Sequence, residues 1–206
     1  IGQLIIVGLN GYNKKAAYNF FERNHKYPVG GIILYDEDIT TLPKSLHNIR
    51  SPKQLKTFTS YLREFSPNPL IIGIDQEGGK VNRLKEEYGF RKSISMAELG
   101  RINNLERTAV ESNRIVNTLN ECGINLNFSP VLDLLLSTDN IISQKDRAIS
   151  SHPNIVSSHA RIIMNCHLRS GIIAVGKHFP GQGSSIGDTH EGWVDVTNSW
   201  SDNELI

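Results

Sequence analysis

The chain has 206 residues, and its 22 basic and 21 acidic side chains give a formal net charge of +1. This length is enough to bury the core of a domain, and a hydrophobic fraction of 38% excludes a chain that is disordered throughout. The balanced charge excludes a nucleic-acid partner bound by bulk electrostatics, and the longest apolar runs, 4–9 and 131–136, exclude a membrane span of about 20 residues.

The first half of the chain predicts a strand, a helix and a second strand. Residues 30–35 (GGIILY) and 70–75 (LIIGID) are apolar runs of the kind found in strands buried on both faces of a parallel sheet. Between them, Ser51 and Pro52 form a helix N-cap followed by proline at the first helical position. Apolar residues at helical spacing then predict a buried helical face, formed by Leu55, Phe58, Leu62 and Phe65.

The second half repeats this alternation. A helical stripe runs over 102–119, a third strand is predicted at 125–131 (NLNFSPV), and a helix opens at Pro153. A fourth strand is predicted at 171–178 (GIIAVGKH). Strands and helices that alternate at this spacing indicate stacked βαβ units, and therefore an α/β fold.

Two α/β architectures are open, a doubly wound sheet and a (β/α)₈ barrel. The first usually carries a nucleotide-binding turn of the form G-x-G-x-x-G, which this sequence lacks. A barrel gathers polar residues at the carboxyl ends of its strands, and here Asp75, Asp133 and the pair Lys177 and His178 follow predicted strands. We therefore expect a TIM-type (β/α)₈ barrel. Because a whole barrel takes about 250 residues, we expect an incomplete N-terminal portion, completed by further chain or a second copy.

The first candidate site is the sequence DQEGGKVNRL at 75–84. Asp75 at a strand end, a glycine pair that lets the backbone approach a ligand, and Arg83 could together hold a polyhydroxylated molecule. A βα turn with a solvated acid is an equal alternative.

The second candidate site is the loop KHFPGQGSSIGDTH at 177–190. Its glycines suit a loop that folds over a ligand. Asp188 and His190 are two residues apart, so in an extended segment their side chains point the same way. A carboxylate beside an imidazole orients it and raises its basicity, which suits proton transfer near neutral pH. A surface loop with a chance Asp-x-His pair is the alternative.

The other chemistry-bearing residues have simpler interpretations. Alone, the sequence KDR at 145–147 is typical of a solvated charge cluster, and Cys122 and Cys166 lie on apolar stripes typical of buried thiols. The sequence contains neither H-E-x-x-H nor C-x-x-C, so we expect no metal and no other cofactor. This applies to the histidines on or near the helix that opens at Pro153, which are His152, His159 and His167.

Taken together, four motifs resemble glycoside hydrolase family 3, specifically its β-N-acetylglucosaminidase branch. They are IDQEGG with RL at 74–84, NFSPVLD at 127–133, DR with a serine at 146–150, and KHFPG with DTH at 177–190. The likeness covers nearly the whole chain. It implies that residues 1–206 form a single N-terminal catalytic domain of that family, apparently truncated at its C-terminal end, with the sugar bound at the C-terminal face of the barrel.

The resemblance also implies roles for individual residues. Asp75 would hydrogen-bond sugar hydroxyls at the closed end of the pocket, and His190, oriented by Asp188, would be the general acid/base. The other members of the sugar pocket would be Arg83, Arg147, Lys177 and His178.

The activity implied is retaining, exo-acting hydrolysis of terminal N-acetylglucosamine from peptidoglycan or chitin-derived fragments. The family carries its carboxylate nucleophile on a later loop, so we expect the 206 residues alone to be inactive as a hydrolase. Gln182 and Lys80 stand where the family usually has His and Arg. The alternatives are a family 3 glycosidase or phosphorylase of other sugar specificity and a non-catalytic carbohydrate-binding barrel. The bacterial cytoplasm and the periplasm are both open as the location.

Overall fold

The computed structural model describes residues 1–38, 41, 45–188 and 192–205. In this part of the chain, a parallel sheet has five strands in the order β1-β2-β3-β4-β5. The strands are β1 (Ile6–Gly8), β2 (Gly31–Leu34), β3 (Ile71–Ile74), β4 (Leu126–Asn127) and β5 (Ile173–Ala174). Strands that are consecutive in the chain are neighbours in the sheet, as in a barrel wall, whereas a doubly wound sheet reverses its order at a switch point.

Helices connect the strands and cover the sheet. They are α1 (Lys14–Arg23), α2 (Pro52–Phe65), α3 (Met96–Ile102), α4 (Leu105–Glu121), α5 (Ile141–Gln144) and α6 (Pro153–Arg169). α1 packs against α2, and α4 packs against α6. Two short antiparallel hairpins lie beyond the ends of β2 and β3, formed by Glu37–Asp38 with Ser45–Leu46 and by Gln76–Gly78 with Val81–Asn82. The predicted α/β class is confirmed.

α2 begins where the sequence predicts. Ser51 Oγ accepts a hydrogen bond from Gln54 N (3.2 Å), and Gln54 Oε1 accepts one from Arg50 N (2.9 Å). The predicted face of α2 is buried in the core between helix and sheet. Burial of each such large apolar side chain stabilises the fold by about 1.5–3 kcal/mol. The core side chains of α2 are Leu55, Phe58 and Leu62.

The structure differs from the predicted elements in several places, one being the strand predicted at 171–178, of which only Ile173–Ala174 forms. It has a first strand, β1, whose three residues are too few to give a clear periodic signal. The stripe predicted over 102–119 is divided into α3 and α4, because Asn103 adopts a left-handed φ of 46° and Asn104 caps α4 by accepting from Arg107 N (2.8 Å). The third predicted strand is reduced to β4, since Pro130 has no N–H to continue a ladder.

The cysteines and two histidines lie in the interior. Cys122 and Cys166 are free, buried thiols, as predicted. Burial raises the pKa of both thiols, that of Cys122 to about 11. His159 and His167 are buried on α6. In the described ranges, no group of three or more His, Cys, Asp or Glu side chains could hold a metal ion, and no helix is long and apolar enough to cross a membrane.

His159 and His167 are expected to make the protein less stable in mild acid. Burial lowers the pKa of both imidazoles, although the hydrogen bond to Ile163 opposes this for His167. Below the ordinary histidine pKa of about 6.5, the unfolded chain therefore binds protons that the folded chain does not, and each histidine lowers stability by at most about 1.4 kcal/mol per pH unit. Urea denaturation between about pH 7 and pH 5 should show the free energy of unfolding falling with pH, and falling less steeply in His167→Gln. A free energy that rises as the pH falls would contradict this expectation.

Candidate active site

Polar side chains meet at the carboxyl edge of the sheet. Because parallel strands end at the same edge, Asp75 after β3, Asp133 after β4, and Lys177 and His178 after β5 come together there. Lys177 Nζ lies 2.7 Å from Asp75 Oδ1 and 2.6 Å from Glu77 Oε1. His178 Nδ1 lies 2.5 Å from Asp133 Oδ2. The first candidate site and the start of the second, Lys177 and His178, therefore form one cluster.

Arg147 joins this cluster. Its Nε and Nη2 donate to the two carboxylate oxygens of Glu77, both at 2.8 Å, in a bidentate pair. Asp146 adopts a left-handed φ of 55° and pairs with the half-exposed Lys80 at 2.6 Å, while the Arg147 side chain is only 11% exposed. The interpretation of 145–147 as a solvated charge cluster is therefore wrong for Arg147.

The anions of the site hold Arg147 in its charged form. Burial alone would lower the pKa of Arg147, but its hydrogen bonds to Glu77 and the charges of Glu77, Asp133 and Asp75 outweigh burial and raise that pKa above its usual value. Lys177 bridges Asp75 and Glu77. The site therefore presents fixed donors beside fixed acceptors, which suits a ligand with many hydroxyl groups.

The exposed fraction of each side chain distinguishes the groups that can contact a ligand from the buried groups that position them. The side chains of Asp75, Arg83 and His178 are 21%, 30% and 33% exposed. Those of Glu77 and Asp133 are 1% exposed and already bonded to site residues. Glu77 and Asp133 are therefore positioning residues in this arrangement.

Asp133 orients His178 and fastens the base of the loop at 177–190. Arg147 Nη2 lies 3.2 Å from His178 Nε2. A guanidinium only donates and a carboxylate accepts, so the proton of His178 sits on Nδ1, towards Asp133, and Nε2 is the acceptor. Asp133 Oδ1 also accepts from Gln182 N at 2.9 Å. At Gln182, where the family usually has His, the contact with Asp133 is therefore made by the backbone N–H and not by the side chain.

Arg83 lies near the second carboxylate oxygen of Asp75, while Lys177 pairs with the first. Its Nη2 is 4.0 Å from Asp75 Oδ2, and its Nη1 is 3.5 Å from Oδ1 of the buried Asp36. Lys85 Nζ lies 2.7 Å from Asp36 Oδ2. Burial would lower the pKa of Lys85, but hydrogen bonds to Asp36 and Glu37 raise it. Asp36 therefore holds two cations beside the pocket.

The glycine pair after Asp75 allows a left-handed backbone and close packing against residues 94 and 95. Gly78 and Gly79 adopt φ of 98° and 61°, and a Cβ on them would lie 2.3 Å from Ile94 O and 2.4 Å from Ser95 Cβ. The backbone at this pair therefore approaches the chain itself closely, and the predicted approach to a ligand stays a prediction.

The loop after β5 is held along most of its described length. Asn140 Nδ2 donates to Gly183 O at 2.6 Å, and Asn140 forms a parallel bridge with Gly187. Gly183 lies so close to Leu134 O that a Cβ would be 2.2 Å away. Asp188 follows this anchored segment.

The predicted acid/base lies outside the described residues. His190 and its neighbours at 189 and 191 are not described, so the predicted pairing with Asp188 stays a prediction. The other predicted members of the site, Asp75, Arg83, Arg147, Lys177 and His178, are brought together.

Four residues of the site carried no predicted role. Glu77 could have been found, since it is two residues from Asp75 and an extended segment places both side chains on one face. Asp133 was marked only by its place after a strand. Tyr35 and Asp36 directly follow β2, and β2 pairs with β3. Burial and the charge of Asp75 raise the pKa of Tyr35 against the opposing charge of Arg83, so its hydroxyl is a hydrogen-bond donor at neutral pH.

The fold and the site define a class of protein. The described chain forms part of the wall of an α/β barrel, and its polar site lies at the carboxyl ends of the strands, where TIM-barrel enzymes have their active sites. The chain belongs to glycosyl hydrolase family 3, because the model of the family's N terminal domain matches residues 1–204.

Curated relatives support the same assignment. A Beta-hexosaminidase of Nitrosomonas eutropha is 33% identical over 168 residues, which cover 79% of this chain and 44% of that protein. A Beta-hexosaminidase of Methylobacillus flagellatus is 34% identical over 175 residues, which cover 82% of this chain and 46% of that protein. The chain thus spans less than half the length of these relatives.

Solved structures agree. A glycoside hydrolase family 3 beta-N-acetylglucosaminidase from Paenibacillus sp. FPU-7 matches with a TM-score of 0.78 at 29% identity, covering 92% of this chain and 34% of that one. NagZ from Neisseria gonorrhoeae in complex with N-trifluoroacetyl-D-glucosamine matches with a TM-score of 0.77 at 28% identity, covering 92% and 53%. The predicted barrel class and the family resemblance are confirmed.

Proposed function

We propose that the protein is a retaining, exo-acting β-N-acetylglucosaminidase that removes terminal N-acetylglucosamine from peptidoglycan or chitin-derived fragments. The observation that carries this proposal is the meeting of Asp75, Lys177, Arg147 and His178 at the carboxyl edge of the sheet. The relatives called Beta-hexosaminidase and the N. gonorrhoeae NagZ complex with a glucosamine derivative support the choice of sugar.

In this proposal, the partly exposed groups bind the terminal sugar. Asp75 accepts hydrogen bonds from ring hydroxyls, and Lys177 and Arg83 donate to neighbouring oxygens. A carboxylate that accepts from hydroxyls gains charge-assisted hydrogen bonds, which are about twice as strong as neutral ones. Arg147 and His178, held by Glu77 and Asp133, complete the pocket.

We propose that His190 and Asp188 perform the proton transfer. A carboxylate nucleophile attacks the anomeric carbon while the His190 imidazolium gives its proton to the departing glycosidic oxygen. The neighbouring Asp188 favours the charged imidazolium that this step needs. Water then displaces the carboxylate, and the neutral imidazole takes the proton of that water.

The edges of the sheet indicate that part of the barrel lies outside residues 1–206. In the described part of the chain, β1 and β5 each have one strand neighbour, so five strands form an open wall. We propose that residues 1–206 are the N-terminal portion of one catalytic domain. A further segment would close the barrel and supply the nucleophile, whereas a second copy would only close the barrel.

His190→Ala tests the acid/base in the protein at its native length. With an alkyl β-N-acetylglucosaminide, whose leaving group needs a proton, kcat should fall by about 10²–10⁴-fold. With a 4-nitrophenyl β-N-acetylglucosaminide, whose leaving group departs without one, glycosylation should slow far less. His152→Ala, an exposed histidine before α6, is the control and should change neither rate. Equal losses with the two substrates, or no loss, would remove His190 from this role, and product formation that depends on phosphate would identify a phosphorylase.

A further inference from the structure

His167 on α6 is a buried imidazole that the proposed chemistry does not use. Its Nδ1 lies 2.8 Å from Ile163 O, and its Nε2 lies 3.0 Å from Asn127 Nδ2. A carbonyl only accepts and an amide nitrogen only donates, so Nδ1 carries the proton and Nε2 is the acceptor. Nδ1 therefore donates a hydrogen bond to Ile163 O, and Nε2 accepts one from Asn127 Nδ2.

The side-chain amide of Asn127, the last residue of β4, forms hydrogen bonds with both the N–H and the carbonyl oxygen of Gln76. Its Nδ2 donates to Gln76 O at 3.0 Å, and its Oδ1 accepts from Gln76 N at 3.0 Å. The two protons of this amide are thus divided between His167 and Gln76. Asp75 and Glu77 are covalently attached to the residue that Asn127 holds, so their positions depend on it.

The side chain of Gln76 in turn forms hydrogen bonds with the backbone at Arg83. Its Oε1 accepts from Arg83 N and from Leu84 N, both at 3.1 Å, and its Nε2 donates to Asn82 Oδ1 at 2.6 Å. Gln76 and Asn127 are almost completely buried, so water does not compete for these bonds. A path of hydrogen bonds therefore runs from α6 through Asn127 to Gln76 and on to the backbone of Arg83, and Gln76 is the chain neighbour of Asp75 and Glu77.

We propose that His167 is a positioning residue of the sugar site, which fixes the amide of Asn127 and through Gln76 sets the positions of Asp75, Glu77 and Arg83. An apolar side chain at 167 would leave one N–H of Asn127 without a partner in a buried place. The amide would then turn towards other acceptors, and its two bonds to Gln76 would loosen. The kinetic part of this inference rests on the proposed function.

Three variants separate positioning from general stability. His167→Leu keeps the bulk and removes the acceptor, whereas His167→Gln keeps an acceptor and a donor. His159→Leu is the matched control, since His159 is equally buried on α6 but is bonded to Thr108 Oγ1 (2.8 Å) and Asn103 Oδ1 (3.2 Å), away from the site. We expect both leucine variants to lower the melting temperature.

Only His167→Leu should alter the site. In the protein at its native length, KM for 4-nitrophenyl β-N-acetylglucosaminide should rise about tenfold in His167→Leu, as expected from the loosening of hydrogen bonds to a charged group. It should stay near the parent value in His167→Gln and His159→Leu. An unchanged KM in His167→Leu, or an equal rise in His159→Leu, would overturn the proposal.

Amide hydrogen exchange at Gln76 tests the path without any substrate. Exchange of the Gln76 N–H should be slow in the parent protein, His167→Gln and His159→Leu, and faster in His167→Leu. If the parent protein does not hydrolyse the glycoside, the proposed function fails, and the exchange measurement alone decides the inference. Exchange at Gln76 that is unaffected by His167→Leu would overturn it.

Discussion

Replacing Glu77 by alanine is expected to lower the free energy of unfolding by about 3–5 kcal/mol. Glu77 is buried and accepts two hydrogen bonds of 2.8 Å from Arg147, and its Oε1 lies 2.6 Å from Lys177 Nζ. Without Glu77, the largely buried Arg147 would lose its bidentate partner, and Lys177 would keep its ion pair with Asp75 but lose the one with Glu77. An unbalanced buried charge costs far more than the loss of a surface ion pair.

Urea denaturation measures this effect against a surface pair. Glu64→Ala removes the half-exposed partner of Lys14, at 3.5 Å, and should cost less than about 1 kcal/mol. Glu77→Gln keeps the volume and one acceptor, so it should fall between the two alanine variants. A cost for Glu77→Ala no larger than that of Glu64→Ala would mean that the buried pairs are absent in solution.

Replacing Asp75 by alanine is expected to remove most of the sugar affinity and little of the stability. Its carboxylate is a partly exposed acceptor and lies between Lys177 and Arg83. Hydrogen bonds to a charged group contribute about 1.5–3 kcal/mol each. The loss of two such bonds to a sugar corresponds to about 10²–10⁴-fold.

The readout is kcat/KM for an aryl β-N-acetylglucosaminide, measured on the protein at its native length. Asp75→Asn keeps the shape and one acceptor, so it should lose about tenfold less than Asp75→Ala. Glu106→Ala, an exposed acid in the first turn of α4, is the control and should leave kcat/KM unchanged. If Asp75→Ala behaved as Glu106→Ala does, the sugar would be bound elsewhere.

Features that depend on local chain chemistry are predictable from this sequence. β2 and β3 are found within the apolar runs because strands buried on both faces need apolar side chains in succession. Asp75, Lys177 and His178 are found at one site because parallel strands bring their carboxyl ends to the same edge.

Features that depend on tertiary contacts are not predictable in this way. Arg147 turns inward after a residue with left-handed backbone, and the sequence KDR gives no sign of that conformation. The spacing from Asp75 marks Glu77 as a candidate, but the roles of Glu77 and Asp133 come from partners 70 and 45 residues away. His167 resembles any other histidine on an apolar helical face until its bond to Asn127 is seen.

The structure of the protein with N-acetylglucosamine bound is the most direct measurement of where the sugar lies. We expect ring hydroxyls within about 3 Å of the Asp75 carboxylate and of Lys177 Nζ, with Arg147 or His178 in contact with the same ring. We also expect the loop at 177–190 to place His190 beside the anomeric oxygen. A sugar bound away from the carboxyl edge, with Asp75 and Lys177 still paired only to protein groups, would contradict the assignment of this site.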